Sequence, residues 1–456
     1  MEQNTWDEQK QWDEEKWPSR KESIYHELFF RKAQEGERDI TAISEQDIEQ
    51  MRQWIGVKSP GRGRVFNEEV NRDNLRHLAL GDGNLNPLYY DEEYAEKTRW
   101  GGLIAAPSFI HCTGTTLPQE GQRHRPAGAL RGLQGLYSGD DCHYYRPIRP
   151  GDFIWETSYL YDVQLKKSQF SGQTVFSRTL NVMANQKGEL VAVQKSLLIT
   201  SGRQTKIDAS GHGERKKYAH ITKQYYTPED IKRIDDDMDR EEIRGANPRY
   251  WEDVNEGDEM TPVVKGPLLV ADMITFDVGH GMTMYDGTHH IAYNYRKRHP
   301  GAWPLNDYGI PDDVESVHWV DKLGRQVTNV SAYNYGEQTY AWLCHVVTNW
   351  MGDDAWLYHI DGQWRRFIYN GDTTWVKGKV TRKYTDDAGQ YKVDLEIWCE
   401  DQRGDNTAPG HATVILPSRV GGLPSVPPRD IPAPYKTEEV KVPIGKEPLW
   451  WTQLTF

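Results

Sequence analysis

Four side chains able to move protons near neutral pH crowd into one stretch of this 456-residue chain: His280, Asp286, His289 and His290, in "HGMTMYDGTHH". An imidazole titrates near neutrality, and a carboxylate beside it can orient it or handle the opposite proton, so the set suits general acid–base work. The expected assignment is His290 as base, Asp286 as acid or orienting group, and His289 as the alternative base. Neighbours on an extended segment face opposite ways, so only one of the two histidines can enter a pocket and the pair is poorly placed to share a metal ion. The competing reading is a polar loop with imidazoles satisfied by their neighbours. A second stretch, "GDGNLNPLYYDEEY" at 81–94, gathers Asp82, Asn84, Asn86 and Tyr89 and is soon followed by "RWGGLIAAPSF". An amide takes up no proton at ordinary pH, and a phenol with a reference pKa of about 10 is a poor base.

Elements must hold these groups in place. Before each of two strand-rich regions stands a helix candidate, "GLIAAPSFIHCTGTTL" in the first half and "GEQTYAWLCHVVTNWM" in the second, the latter apolar on several faces and therefore buried. Gly151-Asp152 and Gly371-Asp372 make matching turns ahead of alternating strand residues, which points to a duplicated α+β unit. Gly336 begins the second helix, where free N–H groups can hold a substrate oxygen, or it is simply a turn glycine. Trp342 and His345 are three residues apart and share a face of that helix, so His345 reaches a pocket or serves as a core histidine. The expected division is a helical arm over 1–40, a first unit over 41–215, a polar linker over 216–240, a second unit over 241–420 and a Pro-rich extended tail over 421–456.

Composition narrows the function. A formal net charge of −13 argues against a nucleic-acid groove, and no apolar run is long enough to span a membrane, so a cytoplasmic protein acting on a small molecule is expected. Four scattered cysteines form no CxxC pair, which argues against a zinc site and against a disulfide framework; no metal is expected. A homo-oligomer is expected, with the tryptophans of the arm available to pack on the body or on a second subunit.

Taken together, "NEEVNRDNLRHLALGDGNLNPLYYDEEYAEKTRWGGLIAAPSF", "TNWMGDDAWL", "GDTTWVKGKV" and "QRGDNTAPGHATVILPSR", in that order, resemble the MaoC-like hydratases and dehydratases. The resemblance implies a double hot-dog fold, two antiparallel sheets each wrapped around a central helix, and addition or removal of water beside an acyl thioester. Coenzyme A would be part of the substrate, with no separate cofactor, and Arg296 with its basic neighbours would clamp its phosphates. In the family an Asp and a His share the proton transfers within G-D-x-N-P-x-H-x-D. Matching Asn86-Pro87 to that pattern puts Asn84 at the Asp position and Tyr89 at the His position, with Asp82 out of register; in the second half Ala292 stands where the His would be. The first half is then a shelter for a bulky acyl group, with Asn84 and Tyr89 lining it, and the site lies in the second half. Two alternatives stay open: a hot-dog enzyme with rewired acid–base residues, such as a thioester hydrolase, and a catalytically dead partner subunit that binds acyl thioesters.

Overall fold

A computed structural model describes residues 42–57, 67–113, 129–130, 133, 135–168, 172–201, 221, 223, 225–281, 288–298, 303–306, 308–328 and 330–429. The arm expected over 1–40, Asp286 and the tail beyond 429 lie outside these residues.

Alternation of apolar and polar residues dictates the strands. In β8 (Tyr391–Asp401), Val393, Leu395, Ile397 and Cys399 are buried while Glu396 is exposed, the period of two that a half-buried strand requires. With β1 (Gly135–Tyr144), β2 (Trp155–Ser168), β3 (Gly172–Ala184), β4 (Leu190–Ser201), β5 (Val263–Lys265), β6 (Trp356–Gln363), β7 (Thr374–Thr385) and β9 (Asn406–Ile415), it forms one sheet of order β2-β3-β4-β1-β6-β9-β8-β7-β5. The two halves of the chain therefore meet edge to edge. β1 pairs antiparallel with β6, Asp141 opposite Asp361 and His143 opposite His359. The repeated turn is present: Gly151 and Gly371 have φ of 89° and 90°, a conformation glycine adopts without strain, and β2 and β7 follow them.

Helix α8 (Gly336–Met351) coincides with the apolar segment expected to be buried, and every residue from Gln338 to Met351 is buried against the sheet. Its counterpart in the first half is a 3-10 helix over Pro107–Cys112, preceded by non-helical residues 102–106, so the longer helix expected there does not form; residues 114–117 lie outside the described residues. Within the expected linker is α4 (Pro228–Met238), whose Asp237 accepts a 2.9 Å bond from Trp375 Nε1 of β7. No helix of the described residues is long and apolar enough to cross a membrane.

Two helices of equal length carry the polar motifs. α2 (Arg72–Asp82) and α5 (Val270–His280) each span 11 residues and end at a left-handed glycine cap, so Asp82 and His280 occupy matching final positions in the two halves. They pack on one another through glycine. A Cβ on Gly279 would lie 2.4 Å from the His77 carbonyl oxygen, and one on Gly81 would lie 2.9 Å from that of Thr275. Since both obstacles are backbone, Gly279→Ala should force the helices apart and lower stability by about 1–3 kcal/mol, measured as a lower midpoint in thermal or urea unfolding; an unchanged midpoint would contradict this packing.

Candidate active site

A cluster of buried titratable groups lies where the two halves meet, near the start of α8. His111 lies in the Pro107–Cys112 turn, and its Nε2 is 3.0 Å from Asp140 Oδ2 on β1. The Asp140 side chain is fully buried, whereas that of His111 keeps 10% of its surface exposed. Tyr137 donates its hydroxyl to Asp140 Oδ2, and Gln194 of β4 donates to Oδ1 at 2.9 Å, so both carboxylate oxygens are engaged and the group is fixed in orientation. Gln194 is held in turn by Asn181 Nδ2 at 2.8 Å.

Rings and the helix start close the site around His111. Tyr340 of α8 stands edge-on to it at 4.8 Å between centroids, and His280 is 6.5 Å away. A Cβ on Gly336 would come within 2.5 Å of the Tyr137 ring and 2.9 Å of Trp364 Nε1, so glycine lets these rings approach the first turn of α8. No side chain caps that turn, and its leading N–H groups have no partner within the helix ladder.

Burial and charge act together here. Burial alone would push His111 down, but Asp140, then Glu337 and Glu156, raise its pKa above the usual imidazole value. Burial raises the Glu156 carboxyl to about 7 against the opposing pull of His111, and it raises Glu337 against the same pull. His280 is driven down to about 3 by burial and then by the nearby charge of His111, so it stays neutral. An imidazole that favours its proton thus shares a site with carboxyls that also hold theirs more tightly, the condition for exchanging protons near neutral pH.

The residues expected from sequence fall in other places. His289 and His290 begin helix α6 (His289–Arg298), not a strand, and both are exposed; His290 is edge-on to Tyr293 at 5.8 Å, one turn along. Among the described residues, neither histidine lies in an enclosed pocket, so their placement lends no support to the expectation that either is the catalytic base. Arg296, on the same helix, has its guanidinium 5.7 Å from the Tyr293 ring and 6.0 Å from that of Trp303. Trp342 is buried in the core. His345 is also buried, but its Nδ1 is 2.8 Å from Lys265 Nζ, which donates as well to the Asp82 carbonyl, so it belongs to a separate polar knot. In that knot burial lifts the Asp82 carboxyl to about 6 while Lys265 pulls it down.

Asn84 and Tyr89 are buried. The Asn84 side-chain oxygen accepts from the Asn86 N–H at 3.0 Å, and Asn86 Nδ2 donates to Asp353 Oδ1 at 3.0 Å, tying the motif to the second half. Burial and then Asp353 push the Tyr89 phenol far up, so it remains protonated. Tyr89 lines an apolar cavity of about 50 Å³ with Trp100, Ile104, Ile110, Tyr144 and Met351. Of the residues singled out in the sequence, Gly336 and His280 adjoin the His111 cluster among the described residues. Sequence reasoning missed His111 and Asp140, which lie far apart along the chain with no local motif; the one signal was the alternation of β1, which turns Asp140 to the same side as buried Cys142 and Tyr144.

Comparison with known proteins agrees with this architecture. Residues 53–194 match the family described as "FAS1-like, dehydratase domain region". A probable enoyl-CoA hydratase alpha subunit of Thermomonospora curvata is 27% identical over 169 residues, covering 34% of this chain and 53% of that protein. A UPF0336 protein of Streptomyces avermitilis is 30% identical over 97 residues, 21% of this chain and 63% of its own length. The chain thus spans about half to two thirds of these two relatives. A solved MaoC-like dehydratase superposes with a TM-score of 0.54 at 14% identity, covering 80% of this chain and 99% of its own. The chain accordingly has the fold of the solved MaoC-like dehydratase, and its residues 53–194 are similar to a FAS1-like dehydratase region.

Proposed function

We propose that the protein hydrates an enoyl thioester, or dehydrates the corresponding hydroxyacyl thioester, with coenzyme A as the thiol. The observation that carries this reading is the contact of His111 with the buried, doubly anchored Asp140 beside the uncapped start of α8. In hydration, ionised Glu156 takes a proton from water, the oxygen attacks the β-carbon, and the double bond's electrons move toward the thioester oxygen. The leading N–H groups of α8 stabilise that oxygen. His111, protonated and steadied by Asp140, then delivers its proton to the α-carbon. Dehydration is the reverse: neutral His111 takes the α-proton and protonated Glu156 gives its proton to the departing hydroxyl. Atoms balance as one water added or lost.

Other parts of the molecule fit the same substrate. The apolar cavity beside Tyr89 receives part of a bulky acyl chain, and Arg296 with Lys297 on α6 meets the phosphates of coenzyme A. A cytoplasmic location accords with the four cysteines, all free and buried.

Hydration of a panel of enoyl-CoA thioesters, followed by loss of enoyl absorbance, tests the proposal. His111→Ala and Asp140→Asn should each lower kcat about 10²- to 10⁴-fold while circular dichroism shows an intact fold. Binding of the thioesters without turnover by the unaltered protein would favour the dead-partner alternative. Tyr89→Phe, which removes a hydroxyl given no proton to transfer, should keep most of the activity; a thousandfold loss would move the chemistry to the first-half motif.

The pH profile adds a signed test. Hydration needs Glu156 ionised, and its carboxyl lies at about 7, so kcat should rise with pH through that value. Glu156→Gln should abolish this limb along with most of the rate. A limb unmoved by the substitution would assign the base to another group.

A further inference from the structure

The opposite face of the seam carries a second cluster with different chemistry. Strand alternation turns Asp141 and His143 away from Asp140 and Cys142, and the β1–β6 register sets His143 beside His359. His359 Nε2 lies 3.0 Å from Asp141 Oδ1, and His143 Nδ1 lies 3.6 Å from the same oxygen. The two imidazoles are 4.3 Å apart between centroids, tilted by 36°. One ligand atom from each of the three residues falls within 4.8 Å of the others, and all three residues are half-buried.

We propose that Asp141, His143 and His359 bind one divalent transition-metal ion of the zinc type, fastening the first half of the chain to the second. Two imidazole nitrogens and one carboxylate oxygen are donors such an ion prefers, and a tetrahedral site with bonds of about 2.0–2.1 Å needs its ligand atoms roughly 3.3 Å apart. The observed spacing reaches that value with rotamer adjustments of about 1 Å, and water takes the fourth position. Backbone is already in place, because the ligands stand on two hydrogen-bonded strands. Lys195 Nζ is 3.4 Å from Asp141 Oδ2, so it holds the oxygen that the metal does not use. One rung farther, His411 Nδ1 is 3.3 Å from Asp361 Oδ1, a pair that faces the cluster without joining it. Tyr358 stands edge-on to His143 at 5.6 Å and limits how far that ring can swing. This site is separate from the His111 cluster, which lies on the other side of β1, and its test does not depend on the reaction.

Titration of the full metal-free chain with Zn²⁺ in a calorimeter should show one saturable site per chain, and saturating Zn²⁺ should raise the thermal midpoint. His143→Ala and His359→Ala should each weaken that site at least about tenfold and erase the thermal shift, whereas His411→Ala should leave both unchanged. Tight binding that survives both substitutions overturns the proposal, as does loss of binding in His411→Ala alone. X-ray absorption of the unaltered, Zn²⁺-loaded chain gives a check independent of variant folding: two imidazoles with oxygen around the ion are expected, and any other histidine count overturns the assignment.

Discussion

The hydrogen-bonded pairing of β1 with β6 is what makes the two halves one continuous sheet. Without it each half has an open sheet edge; with it the halves share one sheet and the inner side chains of both reach α8. The pairing also sets which residues face each other across the duplication. Asp140 turns inward toward His111, while Asp141 turns outward toward His359, so one strand serves two chemically different clusters on its two faces. The glycine contact between α2 and α5 adds a second fixed junction and brings the ends of both helices, Asp82 and His280, toward the core.

The matched positions of Asp82 and His280 show how a duplicated fold diverges in electrostatics while its backbone stays alike. At the end of α2 a carboxyl is buried beside Lys265, whose ammonium also meets His345, and the result is a closed polar knot. At the end of α5 an imidazole is kept neutral by burial and by the charge of neighbouring His111. The second arrangement leaves His111 with carboxyl neighbours and slight exposure, which a reacting site requires. The first is better suited to holding the halves together.

The fold was largely legible in the sequence because its signals are local. α8 reads as a buried helix from its apolar faces alone, and the paired Gly-Asp turns mark where β2 and β7 begin. The site was not, since proton-transfer chemistry depends on residues that folding brings together. His289 and His290 are dense along the chain yet spread along an exposed helix, because adjacent residues on a helix surface have no reason to converge on one point. His111 and Asp140 carry no local pattern, and only the packing of a short 3-10 turn onto β1 makes them neighbours. Asp82, out of register with the family motif, still arrives at a charged junction because α2 ends there.

The long sequence separation across the β1–β6 seam has a kinetic consequence. Asp141 and Asp361 must meet across more than two hundred intervening residues, and such distant pairings carry the entropy cost of closing a large loop and form late. Until then β1 and β6 are exposed edges with the same complementary register on every copy of the chain. At high concentration a half from one molecule can therefore close against the other half of a second, giving an exchanged dimer with the same seam contacts as the monomer. Refolding yield should on this account depend on dilution more than on the stability of either half.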